Sequence, residues 1–318
     1  MPELPEVEVA SRQLRAWAQG RRIEGVDVPK TRVVRAQPVS AFAQLVGKRM
    51  LSIERRGKWM LLAFEGGLGL LSHLGMTGKW MRRAKSDPLA KHTRATLLLE
   101  GGSALDYRDP RLFGVLEVGP FEALTSQRAL ATLGPDPLQG IDAARLSERF
   151  ARTIRSLKET LMDQTLLAGL GNIQVAESLF RAKLSPERPA RSLTRDEVVR
   201  LARAIEASLR ATLMAEDGPD PIAYVEEGGA NLFQVYGHAG EPCPACKTPI
   251  ERIVQGGRSS FFCPHCQPLP KGMKSRVKPV RAAKSVKVAK PSRIAKPAKK
   301  AVTPARKASR PKKVQKRR

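Results

Sequence analysis

The chain has 318 residues, 57 Lys/Arg against 30 Asp/Glu, a formal net charge of +27 at pH 7 and four cysteines. That length suits more than one domain with its own core, and so basic a chain points to a polyanionic partner, nucleic acid or an acidic surface. No apolar run reaches the roughly 18 residues of a membrane span, and no basic stretch followed by an apolar core marks a signal peptide, so a cytoplasmic, reducing setting is expected.

The chain opens Met1-Pro2-Glu3-Leu4-Pro5-Glu6. Removal of Met1 would leave Pro2 with a free secondary amine beside two carboxylates, and such an amine can attack an aldehyde-like carbon and form an iminium. The plain alternative is that Pro2 only permits methionine removal. Val7, Ala10, Leu14 and Trp17 then fall at helical spacing. Pro5 suits the first helical position and Gly20 the stop. Glu3 and Glu6 would share one end of this helix, whose partial positive charge opposes a protonated amine while the two carboxylates favour it.

From Arg49 to Gly119 short apolar runs are broken by glycine, among them Met50–Ile53, Lys58–Phe64, Leu68–Leu74, Thr96–Leu99 and Phe113–Val118. Such runs predict a β-sandwich. Leu133-Gly134-Pro135-Asp136-Pro137 reads as a linker between domains. Helical patterning follows, with a capping box over Thr194–Glu197 and a core stripe of Val198, Leu201, Ile205, Leu209 and Leu213. Ahead of it, Leu167–Asn172 is a glycine-rich turn between helices. It either exposes backbone N–H groups for a phosphate or is an ordinary helix–helix connection.

Cys243-x-x-Cys246 and Cys263-x-x-Cys266, with sixteen residues between the pairs, use all four cysteines in the spacing of a closed, structural zinc site. Arg258 lies near the tip of the intervening hairpin, in reach of a phosphate, and His265 reads as exposed rather than as a fifth ligand. From Gln267 onward there are twenty Lys/Arg and no acid, leaving 37 basic against 30 acidic residues, a net of +7, in the part before it. This Lys/Pro/Ala-rich segment, without aromatics, is expected to be disordered and to bind DNA through counterion release.

The opening motif, Arg56-Gly57-Lys58, His73-Leu74-Gly75-Met76-Thr77-Gly78, Asp109-Pro110-Arg111-Leu112-Phe113-Gly114, Gly169-Leu170-Gly171-Asn172 and the four-cysteine finger occur in one order. Together they resemble the bacterial formamidopyrimidine-DNA glycosylase / endonuclease VIII family over about residues 2 to 268. Leu4, Met76 and the Arg111–Phe113 pair favour the formamidopyrimidine branch. The resemblance implies an α+β multidomain protein: a catalytic β-sandwich domain flanked by helices (1–134), a helix-two-turn-helix domain (135–225), a zinc finger (226–268) and a basic tail (269–318). It implies a monomeric bacterial base-excision repair enzyme, cytoplasmic and nucleoid-associated, with damaged double-stranded DNA as partner, no membrane partner, and one structural Zn2+.

In its terms Pro2 attacks C1′ of an oxidised purine nucleotide, the base leaves, and β,δ-elimination cuts the strand. Glu3 moves the proton and Glu6 supports it. Lys58 and Arg258 hold the flanking phosphates and assist elimination, while Asn172, His92 and Arg111 contact DNA. Met76, Arg111 and Phe113 fill the space of the extruded nucleotide, since C1′ is hidden in a duplex. Three departures stand out. Ala215–Asn231 lacks the family's Gly-Gly-Thr/Ser turn over the lesion, Thr153 replaces an expected basic contact, and the tail lies outside the family core. They leave two alternatives: an endonuclease VIII-type enzyme for oxidised pyrimidines, and a non-catalytic DNA-binding protein.

Overall fold

The computed structural model describes residues 2–35, 37–218, 229, 231–275, 277 and 280. The expectation of a disordered tail beyond residue 280, and most of the altered loop 215–231, lie outside the described residues. Helix α1 (Leu4–Ala18) leads into β1 (Ile23–Asp27), β2 (Met50–Arg56), β3 (Trp59–Phe64), β4 (Leu68–His73), β5 (Lys79–Ala84), β6 (Thr93–Leu99), β7 (Ser103–Arg108) and β8 (Val115–Pro120). Short helices α2 (Phe121–Thr125) and α3 (Arg128–Ala131) follow. Then come α4 (Ala143–Ala151), α5 (Leu157–Leu161), α6 (Asn172–Arg181) and α7 (Arg195–Glu216), and last the hairpin β9 (Glu251–Gln255) and β10 (Arg258–Phe262).

The strands form two antiparallel four-stranded sheets, ordered β1-β6-β7-β5 and β2-β3-β4-β8. One apolar cluster draws on both, with Met60, Leu62 and Leu70 from one sheet and Leu97, Leu105 and Tyr107 from the other, and Val7 and Leu14 of α1 close it. This is the expected sandwich. Strands β1, β5 and β7 lie outside the apolar runs. In β7 the polar position between Leu105 and Tyr107 is itself buried: Asp106, 2 % exposed, accepts from Thr96 Oγ1 at 2.7 Å and pairs with Arg83 Nε at 2.6 Å.

A second core joins α4, α5, α6 and α7, and its stripe of Val198, Leu201, Ile205 and Leu209 is the expected one. The capping box is present: Glu197 N–H donates to Thr194 Oγ1 at 3.3 Å and Thr194 N–H to Glu197 Oε2 at 2.9 Å. A third core fills the finger with Val235, Ile250 and the cysteines, against Ala176 and Phe180 of α6.

Two expectations need correction. Helix α1 begins at Leu4, so Pro5 is not its first residue; Leu4 is drawn in because its side chain belongs to the helical core. The linker Leu133–Pro137 is no loose connection. Gly134 N–H donates to Gln164 O at 2.8 Å and Ala168 N–H to Pro135 O at 3.0 Å, which fastens it along the turn before α6.

The contact between α1 and that turn is close. Leu4 N–H donates to Gly169 O at 3.1 Å. Gly169 has φ +90°, and a Cβ there would lie 2.7 Å from Leu4 Cβ. Gly169→Ala should therefore lower stability by roughly 2–4 kcal/mol from strain and overpacking. Gly20→Ala, also at positive φ but with open space around it, should cost only about 1 kcal/mol. Urea denaturation of both variants checks this, and equal losses would remove the Leu4 contact from the account.

Candidate active site and nucleic-acid interface

The site is assembled around the first turn of α6. Glu3 is fully buried. Its carboxylate accepts from Gly171 N at 3.0 Å and Gln174 N at 2.9 Å on one oxygen, and from Ile173 N at 2.8 Å on the other. These are the orphan donors that every helix start leaves, and the partial positive charge there suits an anion. The glycine-rich turn thus does offer its amides to an anion, but the anion is the chain's own Glu3. A phosphate does not find them open. Pro2, also buried, is the residue next to this anchor.

Lys58 occupies the β2–β3 turn, where Arg56 pairs with Trp59. A Cβ on Gly171 would lie 2.7 Å from Lys58 Nζ and would overlap the Glu3 carboxylate, so only glycine lets both groups close on the α6 start. Burial lowers the Lys58 pKa; Arg258 adds to the fall and Glu3 and Glu6 oppose it. Asn172, 6 % exposed, donates from Nδ2 to Ser259 O at 2.9 Å. That bond ties α6 to β10 beside the exposed Arg258. Pro2, Glu3, Glu6, Lys58, Asn172 and Arg258 thus converge on one helix end.

Three further groups enter that the sequence does not announce. Lys158, 1 % exposed, donates to Asn172 O at 3.0 Å, and burial lowers it to about 8. The box Ser156-x-x-Glu159 marks its helix but not its burial. His73 accepts Gly75 N–H on Nδ1 at 3.0 Å and packs against Trp59, ring centroids 4.6 Å apart with the planes tilted by 57°. Burial and Lys58 lower it to about 4, so it is neutral at pH 7. Glu216, in the last turn of α7, has a buried Oε2 without a partner among the described residues.

The acids form a chain. Glu6 Oε2 accepts Glu3 N–H at 2.8 Å. Burial and the Glu3 carboxylate push Glu6 up to about 7, and burial and Glu6 push Glu216 up to about 8. Near neutral pH these carboxyls hold protons that exposed ones would release.

Met76, Arg111 and Phe113 lie together at the far rim of the sandwich. Buried Asp109 shapes their loop, accepting Thr77 Oγ1 at 2.7 Å and Gly114 N at 2.8 Å. Gly75 has φ +63°, and a Cβ there would meet the Phe113 carbonyl carbon at 2.5 Å, so the Met76 and Phe113 loops touch backbone to backbone. Phe113 is 50 % exposed, with Arg111 Cζ 5.2 Å from its ring centroid. His92, with φ +72°, is partly exposed, and its carbonyl accepts Asp109 N–H at 3.1 Å. It therefore belongs to the same rim rather than to the α6 end. Thr153 Oγ1 accepts Arg155 N–H at 3.2 Å, and Arg155 pairs with Asp163 at 3.0 Å, while Arg152 stays exposed.

The Sγ atoms of Cys243, Cys246, Cys263 and Cys266 all lie within 4.8 Å of one another, with Cys243–Cys266 at 3.9 Å and Cys246–Cys263 at 3.4 Å. Tetrahedral Zn2+ with Zn–S near 2.3 Å requires sulfurs about 3.8 Å apart, so the four thiolates fit one Zn2+ with no position left for a substrate. His265 is exposed, as expected. No helix among the described residues is long and apolar enough to cross a membrane.

Family models match three stretches: the formamidopyrimidine-DNA glycosylase N-terminal domain at residues 1–116, its H2TH domain at 133–219, and the zinc finger found in FPG and IleRS at 240–269. The formamidopyrimidine-DNA glycosylase of Geobacillus kaustophilus is 41 % identical over 84 % of this chain and 100 % of its own length. That of Pelotomaculum thermopropionicum is 39 % identical over 84 % and 99 %. Among solved structures, the MutM (Fpg) protein of Thermus thermophilus shares 40 % identity with a TM-score of 0.72, covering 84 % of this chain and 98 % of its own. Lactococcus lactis Fpg in complex with DNA containing an abasic site shares 31 % identity with a TM-score of 0.76, covering 84 % and 100 %.

The raised acids fix a pH dependence. Glu6 and Glu216 have folded values near 7 and 8 against 4.5 for the free group. Their contribution is therefore fully present below about pH 4.5 and is lost as pH rises toward 8. Between pH 5.5 and 8 the folded protein should lose roughly 1–3 kcal/mol through them. Glu216→Gln should shrink that loss in chemical denaturation. An unchanged pH dependence would exclude Glu216 from the chain of acids.

Proposed function

The chain belongs to the formamidopyrimidine-DNA glycosylase family, and on that premise we propose that it excises oxidised purines, 8-oxoguanine and formamidopyrimidines, from duplex DNA and cuts the strand at the resulting site. It is a base-excision repair DNA glycosylase whose partner is damaged double-stranded DNA. The observation that carries the mechanistic reading is the Glu3 carboxylate locked onto the α6 amides, because it holds the residue next to Pro2 at the helix end that Lys58 also approaches. We divide the chain into a catalytic domain (1–134), a helix-two-turn-helix domain (135–225), a finger (226–268) and a tail (269–318); the three apolar cores support the first three, although Leu4 packs into the second core and Ala176 and Phe180 into the third.

Once Met1 is removed, the Pro2 nitrogen lone pair attacks C1′. The bond from C1′ to the base breaks, its electron pair leaves with the base, and the base takes up a proton. Opening of the sugar ring at C1′–O4′ gives an iminium between Pro2 and C1′. The iminium draws electrons from C2′, so a C2′ proton is lost and the 3′ phosphate departs. A second elimination expels the 5′ phosphate, and water releases the sugar remnant from Pro2. Glu3 and Glu6 handle protons at C1′ and O4′, and the second of these has the pKa suited to the task near pH 7. Lys58, Asn172 and Arg258 hold the phosphates flanking the lesion and stabilise their departure. Zn2+ in the four-thiolate site keeps the Arg258 hairpin folded and takes no part in the chemistry.

The nucleotide is extruded at a cost of a few kcal/mol. Met76 and Phe113 then stack in its place, and Arg111 reaches the widowed base on the opposite strand. His92 meets the backbone on the same side. The enzyme works on the chromosome, which puts it at the nucleoid.

Borohydride trapping on an 8-oxoguanine duplex tests the nucleophile. A covalent protein–DNA adduct is expected, and Pro2→Gly with Glu3→Gln should cut it at least about 100-fold. No adduct, or an undiminished one in that variant, would sink the reading. A chain retaining Met1 or an N-terminal tag should bind the duplex and form none. A panel that includes thymine glycol checks the lesion class, since preferential cleavage there would move the enzyme to oxidised pyrimidines. Phe113→Ala should slow excision from a duplex about tenfold yet leave excision from a single strand nearly unchanged, because only stacked DNA needs a wedge. Equal slowing on both substrates would argue against that role.

A further inference from the structure

Two adjacent arginines end β2, and they go opposite ways. Arg56 is exposed and pairs at the surface with Glu54 at 3.4 Å. Arg55 turns inward, with 7 % of its side chain exposed. Each of its three nitrogens has a partner, and each partner lies in a different part of the fold. Nε donates to Glu8 Oε2 of α1 at 2.7 Å, Nη2 pairs with Asp136 of the linker, and Nη1 donates to Gly57 O at 3.2 Å. Asp136 is itself held, since its Oδ1 accepts Leu138 N–H at 2.9 Å. Burial pushes the Glu8 carboxyl up, but its bonds to Arg55 and Arg12 outweigh this and leave it below its usual value. The Arg55–Glu8 bond is therefore charge-assisted.

The third partner matters most for the chemistry. Gly57 O belongs to the peptide bond that leads into Lys58, and these two residues are the whole turn between Arg56 and its partner Trp59. The turn is pressed toward the α6 start. A Cβ on Gly57 would lie 3.3 Å from Gly169 N, and one on Gly171 would lie 2.7 Å from Lys58 Nζ. A cleft of about 480 Å³ borders the same turn, lined by Arg15, Arg55, Gly57, Leu133 and Asp136. Without the guanidinium the turn has room to move away from α6. A rigid planar fork can hold an acid on either side and a carbonyl at once; a lysine ammonium on its flexible stem cannot.

We propose that Arg55 is a positioning residue for Lys58: it clamps the Gly57–Lys58 peptide to α1 and to the linker and so aims the lysine at the α6 start. This rests on the role given to Lys58 above, in which it stabilises the departure of a phosphate flanking the lesion. Arg55 is buried and acts only through the lysine. Misplacing a catalytic group by about 1 Å costs up to roughly 100-fold. The cost should fall on elimination, because attack by Pro2 depends on the Glu3 anchor instead.

The test separates the two steps on a duplex with a preformed abasic site, in single turnover at saturating enzyme. Early borohydride trapping reads attack by Pro2, and strand cleavage without borohydride reads elimination. Arg55→Lys keeps the charge and loses the fork. It should slow cleavage at least about tenfold and change early trapping less than about threefold. Arg83→Lys is the control for stability alone, since it weakens the buried Arg83–Asp106 pair of the other sheet. Its urea midpoint should fall comparably while both steps keep their rates. Equal slowing of both steps by Arg55→Lys would overturn the proposal, as would equal slowing of cleavage by Arg83→Lys. Lys58→Ala sets the scale. Cleavage slowed there but untouched by Arg55→Lys would overturn the proposal alone, whereas cleavage untouched by Lys58→Ala would remove the role of the lysine and the proposal with it. If Arg55→Lys does not fold, Glu8→Gln decides, because it weakens one arm of the clamp and leaves two. Cleavage a few-fold slower with unchanged trapping is then expected, and slowing of neither step or of both would overturn the proposal.

Discussion

The structure depends on one carboxylate bound to one helix end. Glu3 is supplied by the first turn of the sandwich domain, and its three donors come from the start of α6, 168 to 171 residues later. The interaction replaces the water that would otherwise solvate the free N–H groups of a helix start. It also decides what that start can do. An open turn of this composition is an anion site, and the protein fills it with an internal anion, so the start of the helix is spent on orienting the N-terminal residues.

Helix α6 is held from every side, and nine of its ten residues are buried. Gln174 Nε2 donates to Thr212 Oγ1 of α7 at 2.9 Å, and the Glu177 carboxylate accepts from Gln234, Val235 and Tyr236 N–H at 2.9–3.0 Å. Glu177 thus repeats at the finger what Glu3 does at the sandwich: a buried carboxylate satisfied by three backbone donors, which is the arrangement that makes burying such a charge tolerable. The same helix therefore sets the position of the finger hairpin and of the N-terminal residues. This is how a zinc site that performs no chemistry governs where Arg258 stands.

Much of this was legible in the sequence, for identifiable reasons. The thiolate spacing encodes its own geometry, because a tetrahedral ion admits few ligand patterns. The stripe from Val198 to Leu213 and its capping box are local signals, and they appear at those residues. The convergence on α6 was legible only through resemblance, since no local pattern links Glu3 to Gly171 across 168 residues. Lys158, His73 and Glu216 were not legible. A buried lysine inside a short amphipathic turn reads as a surface residue, His73 reads as part of a strand, and Glu216 acquires its burial from the packing of α7 on α1. The glycine-rich turn was legible as an anion site, but the identity of the anion required the fold.

The distance in sequence between Glu3 and its amides has a consequence in time. During synthesis the N-terminal residues emerge first, and the α6 start and the Arg258 hairpin follow only after some 170 and 255 residues. At roughly 5–20 residues per second, that interval is of the order of 10–50 s. Through all of it the Glu3 carboxylate exists without the amides that bind it. The N-terminal residues can therefore take their folded place only after the start of α6 has been made.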